Sequence, residues 1–202
     1  SREFPLSRAA MQACQLTASE IACRRGDRVL FRGLSLDLRP GGAVRLAGAN
    51  GIGKSSLIRI LAGLLRPFAG DVERSGAIGL LDERPALDGD LSLARALAFW
   101  NAIDGGEGAA LYRLGLDGLL DVPVRYLSTG QRKRAALARL IGQRAPVWLL
   151  DEPLNGLDRE ATGTCAELVA DHCATGGIAV IASHQHFDLP GLAELALADF
   201  TA

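Results

Sequence analysis

The chain has 202 residues, which is enough for one domain with a full hydrophobic core but not for a second complete domain. With 22 basic and 23 acidic residues, its balanced charge gives no reason to expect nucleic acid or an anionic membrane surface as a partner. Charges and glycines interrupt every apolar stretch before the roughly 18 residues that a membrane-spanning helix needs, and the cysteines show no C-x-x-C or zinc spacing.

The first third of the chain predicts strands that lead into a loop and a helix. Residues 1–10 precede the only methionine and are interpreted as an upstream extension or an expression remnant, outside a single domain of residues 11–202. Alternating apolar side chains up to about residue 42 predict strands joined by turns. An apolar strand over residues 43–47 then leads into a glycine-rich loop, after which apolar residues recur at helical spacing as far as Leu65.

The rest of the chain alternates helices with short apolar strands. Leucine and alanine at helical spacing predict a helical subdomain over about residues 85–144, with short strands before it at 71–72 and 77–81. Strands are expected at 147–150 and 178–182, a helix between them at 158–173, and a final alternating run at 192–198. This alternation predicts an α/β fold with a mostly parallel sheet.

The glycine-rich loop carries a phosphate-binding pattern. Residues 48–55 match G-x-x-x-x-G-K-[ST], with a predicted strand before and a helix after, which disfavours an ordinary glycine-rich turn. Backbone N–H groups at such a helix start bind phosphate oxygens. Lys54 is predicted to reach the β- and γ-phosphates and Ser55 to ligate Mg²⁺. The further nucleotide contacts predicted here are Gly48, Asn50, Gly51, Gly53 and Ser56.

A second candidate site begins where an apolar strand ends in Asp151 and Glu152. Because that end of a parallel strand faces the ligand crevice, Asp151 is predicted to hold Mg²⁺ through water and Glu152 to polarise the attacking water as general base. A buried strand with a solvated acidic end is the alternative. His184 should emerge at the same edge and contact the γ-phosphate; a metal pair with His186 is disfavoured because no third ligand is apparent.

The segment from Ser128 to Gln131 has two compatible interpretations. S-x-x-Q is a capping box for the helix predicted to run to about Gln143. Ser128 and the free amides of that helix start also form an anion site. The basic residues that follow are interpreted as a solvated face: Arg132, Lys133, Arg134 and Arg139.

Taken in order, these segments resemble the nucleotide-binding domain of ABC transporters, from about Gln15 to the end of the chain. Residues 48–55 match the Walker A motif, 127–131 the signature motif with Thr129 for the commoner Gly, 151–153 the end of Walker B, 157–158 the D-loop, and His184 the switch histidine. The resemblance implies a P-loop NTPase with an ABC-type ATPase core, comprising a mostly parallel sheet, an antiparallel β subdomain and an inserted helical subdomain.

The resemblance also implies an assembly. In this family two subunits form a head-to-tail homodimer around two ATP molecules, and integral membrane subunits follow its opening and closing. Each nucleotide would lie between Lys54 of one subunit and the signature motif of the other. Hydrolysis would depend on Lys54, Glu152 and His184. The contacts expected from the signature motif and D-loop are Ser128, Gly130, Gln131 and Asp158.

Two positions depart from the family pattern. Where the family has the Gln that senses Mg²⁺ and the membrane partner, this chain has Glu83 or Arg84. Where an aromatic residue stacks on adenine, it has Arg25. A guanidinium plane can also stack on a base, so Arg25 is interpreted as a nucleotide contact.

A narrower resemblance is to the ATP-binding subunit of the haem exporter of cytochrome c maturation. It rests on the phrase over residues 148–153, on Ser183-His184-Gln185 and on the spacing of Pro85 and Leu91. It implies a peripheral position on the cytoplasmic side of the bacterial inner membrane and ATP-driven export of haem. The alternatives are an ABC transporter of a lipid, metal or amino acid, a soluble ABC-type ATPase acting on DNA or ribosomes, and a nucleotide-gated binding module with little hydrolysis.

Overall fold

A computed structural model describes residues 14–83, 85–104 and 110–201. Arg84, one of the two residues at the family's Gln position, lies outside the described residues, as does the first segment over residues 1–13.

The strands form two sheets that meet at the phosphate-binding loop. A three-stranded antiparallel sheet has the order β2-β1-β4 and consists of β1 (Gln15–Arg25), β2 (Arg28–Leu38) and β4 (Ala69–Ser75). A five-stranded parallel sheet has the order β5-β6-β7-β3-β8. Its strands are β3 (Ala43–Ala47), β5 (Ile78–Leu81), β6 (Val147–Asp151), β7 (Ile178–Ala182) and β8 (Ala193–Ala196). The predicted α/β class, with one mostly parallel and one antiparallel part, is confirmed.

The helices are α1 (Lys54–Leu61), α2 (Leu93–Asp104), α3 (Thr129–Gly142) and α4 (Arg159–Ala174). Short 3-10 turns lie at Asp117–Leu119, Val124–Tyr126 and Leu197–Phe200. The expectation that helical spacing continues to Leu65 is wrong. The chain turns at Gly63, with φ 78°, and Leu64 is 68% exposed. Glycine takes this left-handed conformation without the steric cost of a Cβ.

The parallel sheet is buried on both faces. Along β6 and β7 every residue is buried, and successive side chains alternate between two hydrophobic clusters. Leu150 and Ile181 belong to the cluster that includes α2, α3 and α4. Leu149 and Val180 belong to the one that includes α1 and the antiparallel sheet. No helix in the described part of the chain is long and apolar enough to cross a membrane.

One side chain ties the antiparallel sheet to the helix of the phosphate loop. The guanidinium of Arg74, on β4, donates from Nε to the Leu61 carbonyl at 2.7 Å and from Nη2 to the Ile60 carbonyl at 2.6 Å. These are carbonyls at the C-terminal end of α1, where the helix dipole favours a positive charge. The two bonds therefore hold α1 at the end opposite Lys54.

Candidate active site

The predicted site residues meet at the carboxyl edge of the parallel sheet. The phosphate loop leaves the end of β3, Asp151 ends β6, and His184 follows β7, which lies between those two strands. Because all three strands are parallel, their ends share one edge. A cleft of about 540 Å³ opens there. The predicted residues that line it are Arg25, Asn50, Gly51, Gly53, Lys54, Ser55, Ser56, Glu152 and His184.

The backbone of the loop requires glycine at two of these positions. Gly51 has φ 79° and Gly53 has φ 122°, and a Cβ at Gly53 would lie 3.1 Å from the Phe31 ring. Gly53 is also the N-cap of α1, and no side chain caps that helix start. The first amides of a helix have no partner within the helix. This helix start can therefore bind an anion in the cleft.

Lys54 lies across the loop. Its side chain is 6% exposed, and Nζ donates to the Gly48 carbonyl at 2.7 Å and to the Ala49 carbonyl at 3.2 Å. Gly48 thus contacts Lys54 through its carbonyl and does not line the cleft itself. The ammonium group is held where phosphate oxygens on the loop would lie.

Ser55 and Asp151 lie side by side at the phosphate loop. Ser55 Oγ donates to Asp151 Oδ1 at 3.0 Å, and Asp151 is 5% exposed. Burial raises the pKa of the Asp151 carboxyl above its ordinary value, and the hydrogen bond from Ser55 opposes that shift. A hydroxyl and a carboxylate oxygen side by side, next to a phosphate loop, are the hard oxygen ligands that Mg²⁺ prefers. These two residues fit the metal predicted for them.

Lys133 corrects one sequence interpretation. It was assigned with its neighbours to a solvated face, but it is only 7% exposed, whereas Arg132 is exposed. Burial lowers the pKa of Lys133, and the charges of Asp151, Glu83 and Asp82 oppose that change. The assignment is wrong because Lys133, the fifth residue of α3, is buried near Asp151 at the acidic end of β6.

Glu152 and His184 are in contact. His184 Nδ1 lies 2.9 Å from Glu152 Oε2, and the side chains are 46% and 13% exposed respectively. Glu152 has φ 47°, a left-handed conformation that is uncommon for a residue with a side chain, and its N–H donates to the Ala182 carbonyl at 2.8 Å. Such strained residues are concentrated at active sites. The strained backbone directs this carboxylate into the cleft.

The loop that carries His184 is anchored by the next residue, Gln185. Its backbone is held by two hydrogen bonds. The N–H donates to Ser183 Oγ at 3.0 Å, and the carbonyl accepts from Arg45 Nη1 at 3.2 Å. The side-chain amide donates from Nε2 to Asn155 Oδ1 at 3.3 Å. Asn155 lies on the loop after Glu152, so this bond joins the two loops on which His184 and Glu152 stand.

The signature segment has the predicted capping box. Ser128 Oγ accepts from the Gln131 N–H at 3.2 Å, and Gln131 Oε1 accepts from the Ser128 N–H at 2.8 Å. Asp158 is the N-cap of α4, where Oδ1 accepts from the Ala161 N–H at 2.8 Å. Besides Gly48, four predicted nucleotide contacts do not line the cleft of their own chain: Ser128, Gly130, Gln131 and Asp158.

Sequence reasoning missed three residues that line the cleft: Arg28, Leu30 and Asn155. Arg28 is the Cα partner of Arg25 across a hairpin turn at Gly26, so the Arg-Gly-Asp-Arg stretch between two strands was the available signal. Asn155 follows Glu152 by three residues and had no distinct signal. Glu83 also lines the cleft.

Comparison with known proteins agrees with this geometry. The ABC transporter family matches residues 31–155. The cytochrome c biogenesis ATP-binding export protein CcmA of Novosphingobium aromaticivorans is 65% identical over 190 residues, covering 94% of this chain and 99% of that protein. The protein of the same name from Zymomonas mobilis is 49% identical, over 93% of this chain and 86% of that protein.

Solved structures agree on the fold. An ABC transporter ATP-binding protein from Pyrococcus furiosus superposes with a TM-score of 0.80 at 21% identity. The match covers 93% of this chain and 100% of that protein. An ATP-binding subunit of an ABC transporter gives a TM-score of 0.76 at 22% identity, over 84% of this chain and 79% of that one. With the Walker A loop, Asp151, Glu152 and His184 gathered at one sheet edge, the chain belongs to the ABC transporter ATP-binding family, in the group of the cytochrome c biogenesis ATP-binding export proteins CcmA.

Proposed function

We propose that the chain is the ATP-binding and ATP-hydrolysing subunit of an ABC exporter of cytochrome c maturation, with haem as the exported cargo. The names of its relatives support the pathway, and the match extends over 94% of this chain in the first of them. The observation that carries hydrolysis is the 2.9 Å contact between His184 and Glu152 in a cleft that also contains Lys54.

Glu152 is the general base in this proposal. Its carboxylate lies in the cleft with only 13% of the side chain exposed, and it is oriented by His184 Nδ1. A base held in one orientation can accept a proton from water without first reorganising. His184 has its second ring nitrogen, Nε2, for the γ-phosphate. Phosphoryl transfer needs this positioning more than it needs covalent chemistry.

The phosphate loop supplies the positive field. The β- and γ-phosphate oxygens replace the Gly48 and Ala49 carbonyls as partners of Lys54 Nζ. The uncapped amides at the start of α1 bind the same phosphates. Asn50, Gly51, Gly53 and Ser56 line this part of the cleft and enclose the phosphate chain.

Ser55 and Asp151 are the residues that would hold Mg²⁺. The metal, when bound, neutralises charge on the β- and γ-phosphate oxygens. Asp151 is buried, and its ionised form is disfavoured by that burial, so a cation beside it offsets a desolvation cost that Ser55 alone offsets only in part. Glu83, one of the two residues at the family's Gln position, also lines the cleft and adds negative charge on this side.

A head-to-tail homodimer completes the site. Ser128, Gly130 and Gln131 do not line their own cleft, although the free helix start they form can bind an anion. A second copy in head-to-tail orientation would place them, with Asp158 nearby, against the nucleotide on Lys54. Such a dimer would give a function to an anion-binding helix start that lies outside the nucleotide cleft of its own chain.

Integral membrane subunits are the remaining partners in this proposal. The chain would bind them at the cytoplasmic side of the bacterial inner membrane. Two exposed apolar side chains on α2 support the proposal: Phe99 is 57% exposed, and Ile103, four residues further on, is 61% exposed. Residues four apart lie on one face of a helix, so this pair is a candidate contact surface for a protein partner. Co-purification of the chain with membrane proteins other than an exporter of cytochrome c maturation would contradict the haem assignment.

Hydrolysis is tested with Glu152→Gln. The variant keeps the shape of the side chain but lacks the base, so we expect steady-state ATP turnover to fall by about 100-fold or more while ATP binding is retained. Gel filtration with ATP should show the variant as a dimer, because the closed state no longer hydrolyses its nucleotide. Glu160→Gln, an exposed carboxyl in the first turn of α4, is the matched control and should keep wild-type turnover. Equal turnover in the Glu152 variant and the wild type would refute the role of this carboxylate.

A further inference from the structure

Arg45 lies in the middle of β3, the strand that leads directly into the phosphate loop. Its neighbours Val44 and Leu46 are buried in the hydrophobic cluster that includes α1 and the antiparallel sheet. Because side chains alternate along a strand, Arg45 lies on the opposite face of the parallel sheet. Only 20% of its side chain is exposed, and a charge with so little exposure needs hydrogen-bond acceptors in the protein.

The guanidinium of Arg45 binds an acceptor on each side of β3. Nη2 donates to Oε2 of Glu194, the Cα partner of Arg45 on β8. Nη1 donates to the carbonyl oxygen of Gln185 at 3.2 Å, and Gln185 follows β7, the other neighbour of β3. The donors of a guanidinium are held in one plane at fixed angles. The bond to Glu194 therefore restricts the direction in which Nη1 points.

The bond to Gln185 reaches the exposed middle of the loop that carries His184. Ser183 at the start of this loop and Phe187 further on are buried, whereas the three residues between them are exposed. Exposed loop backbone moves more than backbone held in a sheet. A bond from a strand to the residue next to His184 therefore limits the movement of that imidazole.

The other polar contacts of Gln185 have a different effect. Ser183 Oγ bonds both the N–H and the carbonyl of Gln185, but it belongs to the same loop, so these bonds shape the turn without fixing it to the sheet. The Gln185 side chain donates to Asn155, which lies on the loop after Glu152 and not on a strand. Arg45 differs from both of these partners because it joins the loop to the sheet.

The strand of Arg45 also presents the phosphate loop, which begins three residues further on at Gly48. A movement of His184 relative to β3 is thus a movement relative to phosphates bound at that loop. We propose that Arg45 is a positioning residue for hydrolysis, which holds the loop of His184 in place beside the phosphate loop, and that Glu194 orients Arg45 for this role. This inference rests on the proposed function, in which His184 contacts the γ-phosphate.

Arg45→Met tests this role, because methionine keeps much of the apolar stem but has no donor. In steady-state ATP turnover of the full chain with Mg²⁺, kcat should fall about fivefold or more. The dissociation constant of a non-hydrolysable ATP analogue, measured by calorimetry, should stay within about twofold of wild type, since Arg45 does not line the cleft. Glu194→Ala should lower kcat by a smaller factor. Arg39→Met, which removes an exposed ion pair with Asp37, is the matched control and should change neither quantity.

A His184→Ala background distinguishes positioning from a general structural role. If Arg45 acts through His184, Arg45→Met should lower kcat no further once the imidazole is absent, and Glu194→Ala serves in both backgrounds if Arg45→Met does not fold. An equal loss in both backgrounds overturns the inference, as does a rise of more than about twofold in the dissociation constant of the analogue. Unchanged kcat in Arg45→Met and Glu194→Ala also overturns it and leaves the ATPase intact. Absence of turnover in the wild type overturns the proposed function and this inference with it.

Discussion

A buried histidine makes the stability of the fold depend on pH. His172, on α4, is 6% exposed and stacks on Trp148 with ring centres 3.9 Å apart and planes at 8°. Its Nε2 lies 3.3 Å from the Ile178 carbonyl oxygen. Burial lowers the pKa of His172 from 6.5 to about 4, and the backbone hydrogen bonds oppose that shift only in part. The imidazole is therefore neutral in the folded protein at every pH above about 4.

The sign and size of the effect follow from proton binding. Below pH 6.5 the unfolded chain gains a proton at His172 and the folded chain does not, so acid stabilises the unfolded state. With these two pKa values the free energy of unfolding falls by about 2 kcal/mol between pH 7.5 and 5.0. The loss levels off at about 3 kcal/mol well below pH 4, where both states are protonated.

Urea denaturation of wild type and His172→Gln at both pH values measures this loss. The glutamine amide keeps a donor for the Ile178 carbonyl but does not titrate, so the variant should lose about 2 kcal/mol less than wild type over the same interval. Carboxyl groups titrate in both proteins, and their contribution cancels in the comparison. His186→Gln, which removes an exposed histidine, should behave as wild type. Parallel pH dependence in wild type and His172→Gln would refute the assignment of a neutral buried imidazole.

Two further predictions concern contacts that hold the site in place. Arg74→Met should lower the free energy of unfolding by about 1 to 2 kcal/mol in urea denaturation, because two charge-assisted bonds to the end of α1 are lost. Arg39→Met, which breaks an exposed ion pair, should cost less, and equal losses would contradict the capping role. Gln185→Leu and Asn155→Ala should each lower kcat about threefold to tenfold, and the double variant no further. Multiplying losses in the double variant would show that their hydrogen bond does not position His184.

The candidate site residues at the carboxyl edge of the parallel sheet could be predicted because local sequence encodes them. An apolar run followed at once by Asp151 and Glu152 gives both the strand and the position of the carboxylates at its end. The same holds for Lys54 after a glycine-rich loop and for His184 after β7. Parallel strands share one carboxyl edge, so four residues from three distant segments of the sequence could be placed together without a structure.

The part of the cleft beside the β1–β2 hairpin could not be predicted in this way. Arg28 and Leu30 reach it because Phe31 packs against Gly53, where a Cβ would be 3.1 Å from the ring, and this contact brings β2 onto the phosphate loop. No spacing in the sequence encodes a contact between two sheets. Lys133 was misassigned for a related reason. The run of basic residues at the start of α3 does not indicate which of its side chains lies against the end of β6, because that strand is distant in sequence.

The signature segment, which we interpret both as a capping box and as a nucleotide contact, packs closely against the loop after Glu152. A Cβ at Gly130 would lie 2.4 Å from the Gly156 carbonyl oxygen, so only glycine lets the start of α3 approach the loop after Glu152 this closely. The capping box between Ser128 and Gln131 fixes the other side of the same turn. The loop after Glu152 and the signature segment are therefore packed directly against each other. In the proposed dimer that segment would contact the second nucleotide, and the contact between Gly156 and Gly130 would then lie between the two nucleotide sites.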